Sequence, residues 1–223
     1  MAAHRAILFD LDGTLTDPFD GITRSVQYAL ERLGHEVPPQ DALRWMIGPP
    51  LRDSLPILLG TDDAALVDEG MRLYRERYSD IGKFENTLIE GIPEVLKALD
   101  AQGYFLSVAT SKPGTYAREI IAHFDLEQYF DAQYGSGLDG QHAHKPELIG
   151  HILRSEGLDP ARTLMIGDRS HDVIGASANA VRAIGVLWGF GGHAELSENG
   201  ATAIARSPRE LTGIIASLLP PAG

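Results

Sequence analysis

The sequence predicts an α/β fold, a Rossmann-like parallel sheet that carries an inserted all-helical domain. After Gly91, short apolar runs typical of buried strands alternate with helical patterns, which is the arrangement of a parallel sheet covered on both faces by helices. One more apolar run, at 6–10, has the same strand character. Only helical patterns lie between it and the alternating part, so we expect residues 17–85 to be an insertion after the first strand.

The insertion begins with a helix. Its apolar residues recur at helical spacing from Phe19 to Leu33, and Gly34 follows as a C-cap. We expect no strand between the insertion's start and residue 100. Further helical patterns cover 39–47, 51–59 and 62–80.

The alternating part predicts the rest of the sheet and its helices. Pro93 stands in the first turn of the first of these helices, a position that proline favours. The predicted helices cover 92–102, 114–124, 146–156, 170–179 and 208–219, and the predicted strands cover 104–109, 132–134, 163–166, 183–187 and, as a weak edge strand, 202–205. We therefore divide the chain into an α/β core, 1–16 and 86–223, and the helical domain, 17–85.

Composition excludes several classes of function. The net charge of the 223 residues is -12, which argues against non-specific binding to a nucleic acid polymer or to an anionic membrane. The chain has no cysteine, so disulfides, thiolate catalysis and cysteine-bound zinc are excluded. The N-terminal apolar run is too short for a signal peptide, and no apolar stretch approaches the ~18 residues of a membrane span. We expect a cytoplasmic protein without a membrane partner.

Two carboxylates follow the first predicted strand. Asp10 and Asp12 are separated by one residue and are followed by Gly13. Side chains at i and i+2 of an extended segment point the same way, so these carboxylates would repel each other. A cation between them would offset this cost. The arrangement would also be tolerated if the two carboxylates had different catalytic roles, one as a nucleophile and the other as an acid or base. The alternative is a strand followed by an ordinary Asp-Gly turn.

Polar groups also follow the second predicted strand and begin a later helix. Thr110 and Ser111 come after the strand at 104–109, where a hydroxyl beside the amides that open a helix suits an anionic oxygen. Lys145 precedes Pro146 at the start of a helix, where an ammonium opposes the helix dipole unless it faces an anion. The alternatives are a common helix cap and a solvated surface lysine.

A second pair of carboxylates follows the strand at 163–166. Asp168 falls at the strand end, and Asp172 lies one helical turn later, on the same face. Carboxylate oxygens at a helix start suit Mg²⁺, which keeps several waters and takes few carboxylates. The alternative is an N-cap aspartate with a second acid nearby by chance.

These groups meet at one edge of the predicted sheet. Ligands of open parallel sheets bind at the carboxyl ends of the strands. A nucleophile, an acid/base, phosphate-binding donors, a cation and a metal site together make up the requirements of phosphoryl transfer. The motifs at Asp10, Thr110, Lys145 and Asp168 occur in the order and at the spacing of the haloacid dehalogenase superfamily, and the chain resembles a phosphatase of that superfamily over essentially its whole length.

The resemblance implies a catalytic role for the first two carboxylates. Asp10 would attack phosphorus and form an aspartyl-phosphate. Asp12 would protonate the leaving oxygen and then activate water. Both would also bind Mg²⁺, Asp12 through its backbone carbonyl.

It also implies roles for the other motifs and for the insertion. Thr110, Ser111 and Lys145 would bind the phosphoryl oxygens. Asp168 would ligate Mg²⁺, and Asp172 would support the metal directly or through water. The helical insertion corresponds to the cap of this superfamily, which closes over the substrate and excludes water.

The resemblance narrows the activity to a phosphomonoesterase. Dehalogenases with the same nucleophile lack an equivalent of Asp12, because halide needs no proton. Phosphonatases need a lysine in the cap, and the first lysine here is Lys83, at its trailing end. Phosphomutases carry a cap histidine shortly after the first motif, where this chain has no histidine in 17–20.

The resemblance implies that the substrate is a small phosphorylated metabolite, and two subfamilies fit the sequence. The segments 47–51 and 110–113 resemble phosphoglycolate phosphatases, which is the leading interpretation. The segments 167–169 and 185–191 resemble the 5'-nucleotidase-like branch, which is the alternative. Gly48 and Arg52 are candidate substrate contacts. A regulatory or interaction protein that retains only the fold is the alternative of another class, and a monomer or a homodimer is expected.

Overall fold

The computed structural model describes residues 5–220, so the ends of the predicted core, 1–4 and 221–223, lie outside the described residues. The described chain forms eight strands and nine α-helices. The strands are β1 (Ala6–Phe9), β2 (Thr16–Asp17), β3 (Thr87–Leu88), β4 (Phe105–Pro113), β5 (Ala132–Ser136), β6 (Thr163–Gly167), β7 (Arg182–Val186) and β8 (Ala203–Ala205). The helices are α1 (Phe19–Leu33), α2 (Leu51–Leu59), α3 (Ala64–Tyr78), α4 (Ile92–Ala101), α5 (Gly114–His123), α6 (Lys145–Glu156), α7 (Ser170–Ser177), α8 (His193–Glu198) and α9 (Pro208–Leu218).

Six strands form a parallel sheet in the order β5-β4-β1-β6-β7-β8. The first strand is therefore central, and its last residue, Phe9, pairs with Val108 of β4 and Ile166 of β6. Because these strands are parallel and in register, the residues that follow them meet at one edge of the sheet. The predicted α/β architecture with a helical insertion is confirmed.

Helices cover both faces of the sheet. Ile7 and Phe9 of β1 belong to an apolar cluster with α4, α5 and α9, whereas Ala6 and Leu8 belong to a second cluster with α6 and α7. Successive side chains of a strand point to opposite faces, so a strand buried on both faces consists of apolar residues throughout. This burial explains the unbroken apolar run before Asp10.

The inserted helices pack around a cluster of their own. Val26 and Leu30 of α1, Leu55 of α2, and Tyr74 and Tyr78 of α3 are buried together. The helix α1 ends as predicted, with Gly34 in the left-handed conformation at φ 72°. We refer to this insertion as the cap.

A short strand pair joins the cap to the sheet domain. Thr16 pairs with Leu88 and Asp17 with Thr87 in an antiparallel ribbon. The expectation of no strand here was wrong, because two-residue strands are too short to show alternation. The proposed domain boundaries, at residues 17 and 85, lie beside this ribbon.

Two further differences from the sequence prediction affect the site. The strand β4 continues to Pro113, so Thr110 and Ser111 lie within its final residues rather than after it. The six-residue helix α8 was not predicted.

No helix within residues 5–220 is both long and apolar enough to cross a bilayer.

Candidate active site

The carboxyl edge of the sheet brings the predicted site residues together. Asp10 directly follows β1, and Thr110 lies in the last part of β4. Lys145 is the first residue of α6, Asp168 follows β6, and Asp172 lies in the first turn of α7. All five are buried. The expected convergence at one edge is therefore present.

Lys145 is the cation between two of the carboxylates. Its Nζ lies 2.7 Å from Oδ1 of Asp10 and 2.5 Å from Oδ1 of Asp172, and it also donates to the carbonyl oxygen of Ala109 at 2.8 Å. Burial alone would lower the pKa of Lys145, but the two carboxylates outweigh burial and raise that pKa to about 12. The ammonium is therefore charged and faces anions, as the sequence argument required.

Three carboxylates form a candidate metal site. Asp10, Asp168 and Asp172 each offer an oxygen within 4.8 Å of the other two. Burial raises the pKa of Asp172 to about 6 despite the charge of Lys145. The pKa of Asp168 is raised well above its usual range, by burial first and then by the charges of Asp10 and Asp172. Such a concentration of buried acids favours a bound cation.

Asp168 provides the test of whether a metal fits. Its Oδ2 accepts a hydrogen bond from the backbone N–H of Phe190 at 2.7 Å, but its Oδ1 has no hydrogen-bond partner among residues 5–220. An unpaired buried carboxylate oxygen is costly, and a divalent cation would satisfy it. Hard oxygen ligands of this kind suit Mg²⁺. The side chain of Asp12 is not part of this cluster, and its contribution through the backbone carbonyl stays a prediction.

Two glycines let the backbone approach Asp168 closely. Gly13 has φ +83°, and a Cβ built there would lie 2.3 Å from Oδ2 of Asp168. A Cβ at Gly189 would lie 2.4 Å from the same oxygen. Any larger residue at either position would displace the carboxylate, so the local sequence fixes where Asp168 lies.

Asp12 has a different environment from Asp10. Its Oδ2 lies 2.7 Å from Nζ of Lys112, and Nζ of Lys112 also donates to the hydroxyl of Tyr78 at 2.5 Å. The pKa of Asp12 is raised by burial, although Lys112 opposes this effect. Neither partner was predicted from the sequence. Lys112 is one of only four lysines, which was a usable signal, whereas Tyr78 lies in an ordinary helical pattern and gave none.

Thr110 and Ser111 line a cavity beside the carboxylates of Asp10 and Asp12. The hydroxyl oxygen of Thr110 accepts a hydrogen bond from the backbone N–H of Lys112 at 3.2 Å, so its own proton is free for another acceptor. The carbonyl oxygen of Ser111 accepts from the hydroxyl of Ser136 at 2.9 Å. Both residues face the same cavity as Asp10 and Asp12.

The cavity lies between the cap and the edge of the sheet. It encloses about 880 Å³, including its open mouth. Residues of the cap form much of its wall, which is largely apolar: Ile22, Met46, Pro49, Pro50, Leu51, Met71, Tyr74 and Tyr78, with Tyr116 from α5. The carboxylates of Asp10 and Asp12 form the polar end of the cavity.

Gly48 and Arg52, the candidate substrate contacts, both line this cavity. The guanidinium of Arg52 is exposed and lies 2.6 Å from Oδ1 of Asp68, also on the cap. Gly48 has φ +107°, and a Cβ there would lie 2.8 Å from Cγ of Arg169. Gly48 is therefore a point of close contact between the cap and the core.

Arg169 holds this contact in place. Its guanidinium donates to the carbonyl oxygen of Ile47 in the cap and, through Nε, to Oε1 of Glu195 at 3.0 Å. Its backbone N–H donates to Oδ2 of Asp172 at 3.2 Å. The segment between Asp168 and Asp172, two of the candidate metal ligands, thus contacts the cap directly. The sequence gave no signal for Glu195, because it lies on the unpredicted helix α8.

Comparisons with known proteins identify the family of the chain. Residues 7–186 match the family described as haloacid dehalogenase-like hydrolase. A 5'-nucleotidase from Pseudomonas aeruginosa is 55% identical over 85% of this chain and 86% of its own length. Tyrosine-protein kinase PtkA from Mycobacterium tuberculosis is 40% identical over 83% of this chain and 62% of its own length.

More distant sequences and a solved structure point to the same family. A phosphoglycolate phosphatase from Pseudomonas fluorescens is 25% identical over 93% of this chain and 78% of its own length. The crystal structure of a predicted phosphatase from Clostridium acetobutylicum superposes with a TM-score of 0.93 and is 39% identical, covering 97% of this chain and all of that one. The chain therefore belongs to the haloacid dehalogenase-like hydrolases and is a phosphatase of that family.

Proposed function

We propose that the protein is a Mg²⁺-dependent phosphomonoesterase that works through an aspartyl-phosphate on Asp10. The observation that carries this proposal is the buried cluster of Asp10, Asp168 and Asp172, with Lys145 bound between two of them at the polar end of the cavity. This arrangement supplies a nucleophile and positive charge beside it. The chain has a carboxylate at each of the positions 10, 12, 168 and 172 that this chemistry would use, which speaks against the regulatory alternative.

Asp10, Asp168 and Asp172 would hold the metal. When bound, Mg²⁺ would offset the charge of the carboxylates and of the phosphoryl oxygens that approach them. The unpaired Oδ1 of Asp168 supports this assignment.

In the first step, a carboxylate oxygen of Asp10 forms a bond to phosphorus as the bond between phosphorus and the ester oxygen breaks. Asp12 gives its proton to the leaving ester oxygen, so the product is an alcohol. Lys145, Thr110 and Ser111 bind the phosphoryl oxygens and hold phosphorus in line with Asp10.

In the second step, water attacks the phosphorus of the aspartyl-phosphate. Asp12, now a carboxylate, takes a proton from this water as the bond between phosphorus and Asp10 breaks. Inorganic phosphate leaves, and Asp10 and Asp12 return to their starting states. The cap limits the access of other water to the site.

A nucleoside 5'-monophosphate is the substrate that we favour. The 5'-nucleotidase of P. aeruginosa is more similar to this chain than the phosphoglycolate phosphatase of P. fluorescens. The wide apolar wall of the cavity also suits a base and ribose better than a two-carbon acid. This reverses the order of the two substrates expected from the sequence. Phosphoglycolate stays the second candidate because Arg52 lines the cavity, although Asp68 already pairs with it.

A panel of phosphate esters tests this proposal. We expect kcat/KM with Mg²⁺ to be at least ~10-fold higher for nucleoside 5'-monophosphates than for 2-phosphoglycolate, since only the larger ligands use the apolar wall. Removing the metal with a chelator should abolish turnover, and added Mg²⁺ should restore it. A preference for 2-phosphoglycolate would contradict the substrate assignment. No hydrolysis of any ester, p-nitrophenyl phosphate included, would contradict the enzymatic function itself.

Cytoplasmic location, the absence of a membrane or nucleic acid polymer as partner, and a monomeric or homodimeric state stay predictions.

A further inference from the structure

A chain of three side chains links the cap to Asp12. The hydroxyl of Tyr78, at the end of α3 in the cap, lies 2.5 Å from Nζ of Lys112 in β4. The same Nζ lies 2.7 Å from Oδ2 of Asp12. All three residues are buried, with at most 8% of any of them exposed. Water therefore has little access to these three side chains and competes little for the hydrogen bonds between them.

The two carboxylate oxygens of Asp12 are not equivalent. Oδ2 is bound by Lys112, whereas Oδ1 is buried and, within the described part of the chain, receives no hydrogen bond. Asp12 lines the cavity together with Asp10. Oδ1 is therefore the oxygen left over to bond with a group of the substrate, and Lys112 determines which of the two oxygens this is.

Tyr78 is well placed to fix the position of Lys112. A lysine ammonium sits on a flexible four-carbon stem, so it needs more than one partner to hold one position. The ring of Tyr78 is itself held by stacking on Tyr74, with ring centroids 5.1 Å apart, and by an edge contact with Tyr116 at 5.5 Å. A rigid aromatic group of the cap thus holds a flexible cation of the core.

We propose that Lys112 and Tyr78 are positioning residues that aim Oδ1 of Asp12 at the leaving oxygen of the substrate. Because Tyr78 belongs to the cap, the position of the acid/base depends on a contact between the cap and the core. This inference rests on the proposed function. It adds two residues that do not take part in the reaction themselves but determine where the proton of Asp12 is held.

The affected step distinguishes positioning from simple support of the fold. As the aspartyl-phosphate forms, the proton of Asp12 goes to the ester oxygen while the bond between that oxygen and phosphorus breaks. An alkoxide leaves poorly without this proton, whereas p-nitrophenolate leaves readily without it. Misplacing Oδ1 should therefore slow the release of an alkyl alcohol and spare the release of p-nitrophenolate. The quantity to measure is kcat/KM, because it covers only the steps up to loss of the leaving group.

The test uses Tyr78→Phe, which keeps the ring and removes the hydroxyl. We expect kcat/KM for the best alkyl phosphate of the panel to fall by ~10-fold, the weight of one hydrogen bond to a buried charge. We expect kcat/KM for p-nitrophenyl phosphate to fall by less than ~2-fold, because p-nitrophenolate leaves without the proton of Asp12. Tyr28→Phe is the matched control: it removes the hydroxyl of a cap tyrosine that bonds Glu76 at 2.6 Å and does not line the cavity, and the ratio between the two substrates should stay at the wild-type value.

A second variant, Lys112→Met, should shift this ratio further, by up to ~10²-fold, because it removes the cation that holds Oδ2. A ratio that stays at the wild-type value in either variant, with or without losses on both substrates, would overturn the inference. Thermal unfolding of each variant identifies a loss that comes from destabilisation, which lowers both rates together. Failure of the proposed function has a different signature, namely p-nitrophenyl phosphate turnover that survives in Asp10→Asn.

Discussion

Asp10→Asn is expected to lower kcat for p-nitrophenyl phosphate on the order of 10⁴-fold or more, the scale on which enzymes respond to loss of a catalytic nucleophile. Asparagine has nearly the same shape but no carboxylate to attack phosphorus. The remaining cluster still holds Lys145 through Asp172, at 2.5 Å, so the variant should fold. The measurement is the initial rate at saturating Mg²⁺, with circular dichroism to confirm the fold.

Asp62→Asn is the matched control for this change. Asp62 is exposed at the cap surface, so the same substitution there should leave the rate unchanged within about 2-fold. If Asp10→Asn retained more than a tenth of the wild-type rate, Asp10 could not be the nucleophile. The covalent mechanism would then be wrong.

Lys145→Met is expected to destabilise the protein by about 3–5 kcal/mol, the usual cost of removing one partner from a buried ion pair. The substitution leaves Asp10, Asp168 and Asp172 as neighbouring buried acids without the ammonium that lies 2.7 Å and 2.5 Å from two of them. Without a metal, nothing then offsets the repulsion among these carboxylates, and the phosphoryl oxygens lose one of their binding groups. Urea unfolding monitored by circular dichroism, together with phosphatase rates, measures both effects.

The same change at Lys97 is the control. Lys97 is exposed on α4, so Lys97→Met should alter the free energy of unfolding by no more than about 0.5 kcal/mol. A loss below about 1 kcal/mol for Lys145→Met would mean that the carboxylates do not depend on this cation. Lys145 would then be no more than a phosphate ligand.

The sequence was sufficient to predict the carboxyl edge of the sheet and the residues that meet there. Asp10 and Asp168 each follow a run that is buried on both sides, and such runs are recognisable because, apart from Thr163, their residues are apolar or glycine. Parallel strands bring their ends to one edge whatever the details of packing. The position of Lys145 beside Asp10 needed one more step, the argument that a cation at a helix start must face an anion.

The contacts between cap and core were not predictable from the sequence. Tyr78 and Lys112 meet only because α3 packs over the end of β4, and the spacing of α3 fits any buried aromatic equally well. The contact of Arg169 with Ile47 and Glu195 depends in the same way on the packing of distant segments. A local sequence pattern predicts where a residue lies within one helix or strand, whereas these contacts depend on how the cap lies over the sheet.

The most direct test of the central claim is to locate the covalent phosphate. In Asp12→Asn the base for the second step is missing, so the aspartyl-phosphate formed from p-nitrophenyl phosphate should accumulate. Rapid acid quench and peptide mass spectrometry should then find close to one phosphate per enzyme on Asp10, with p-nitrophenolate released in the same amount. Release of p-nitrophenolate with no phosphate on the protein, or with phosphate on another residue, would contradict the mechanism.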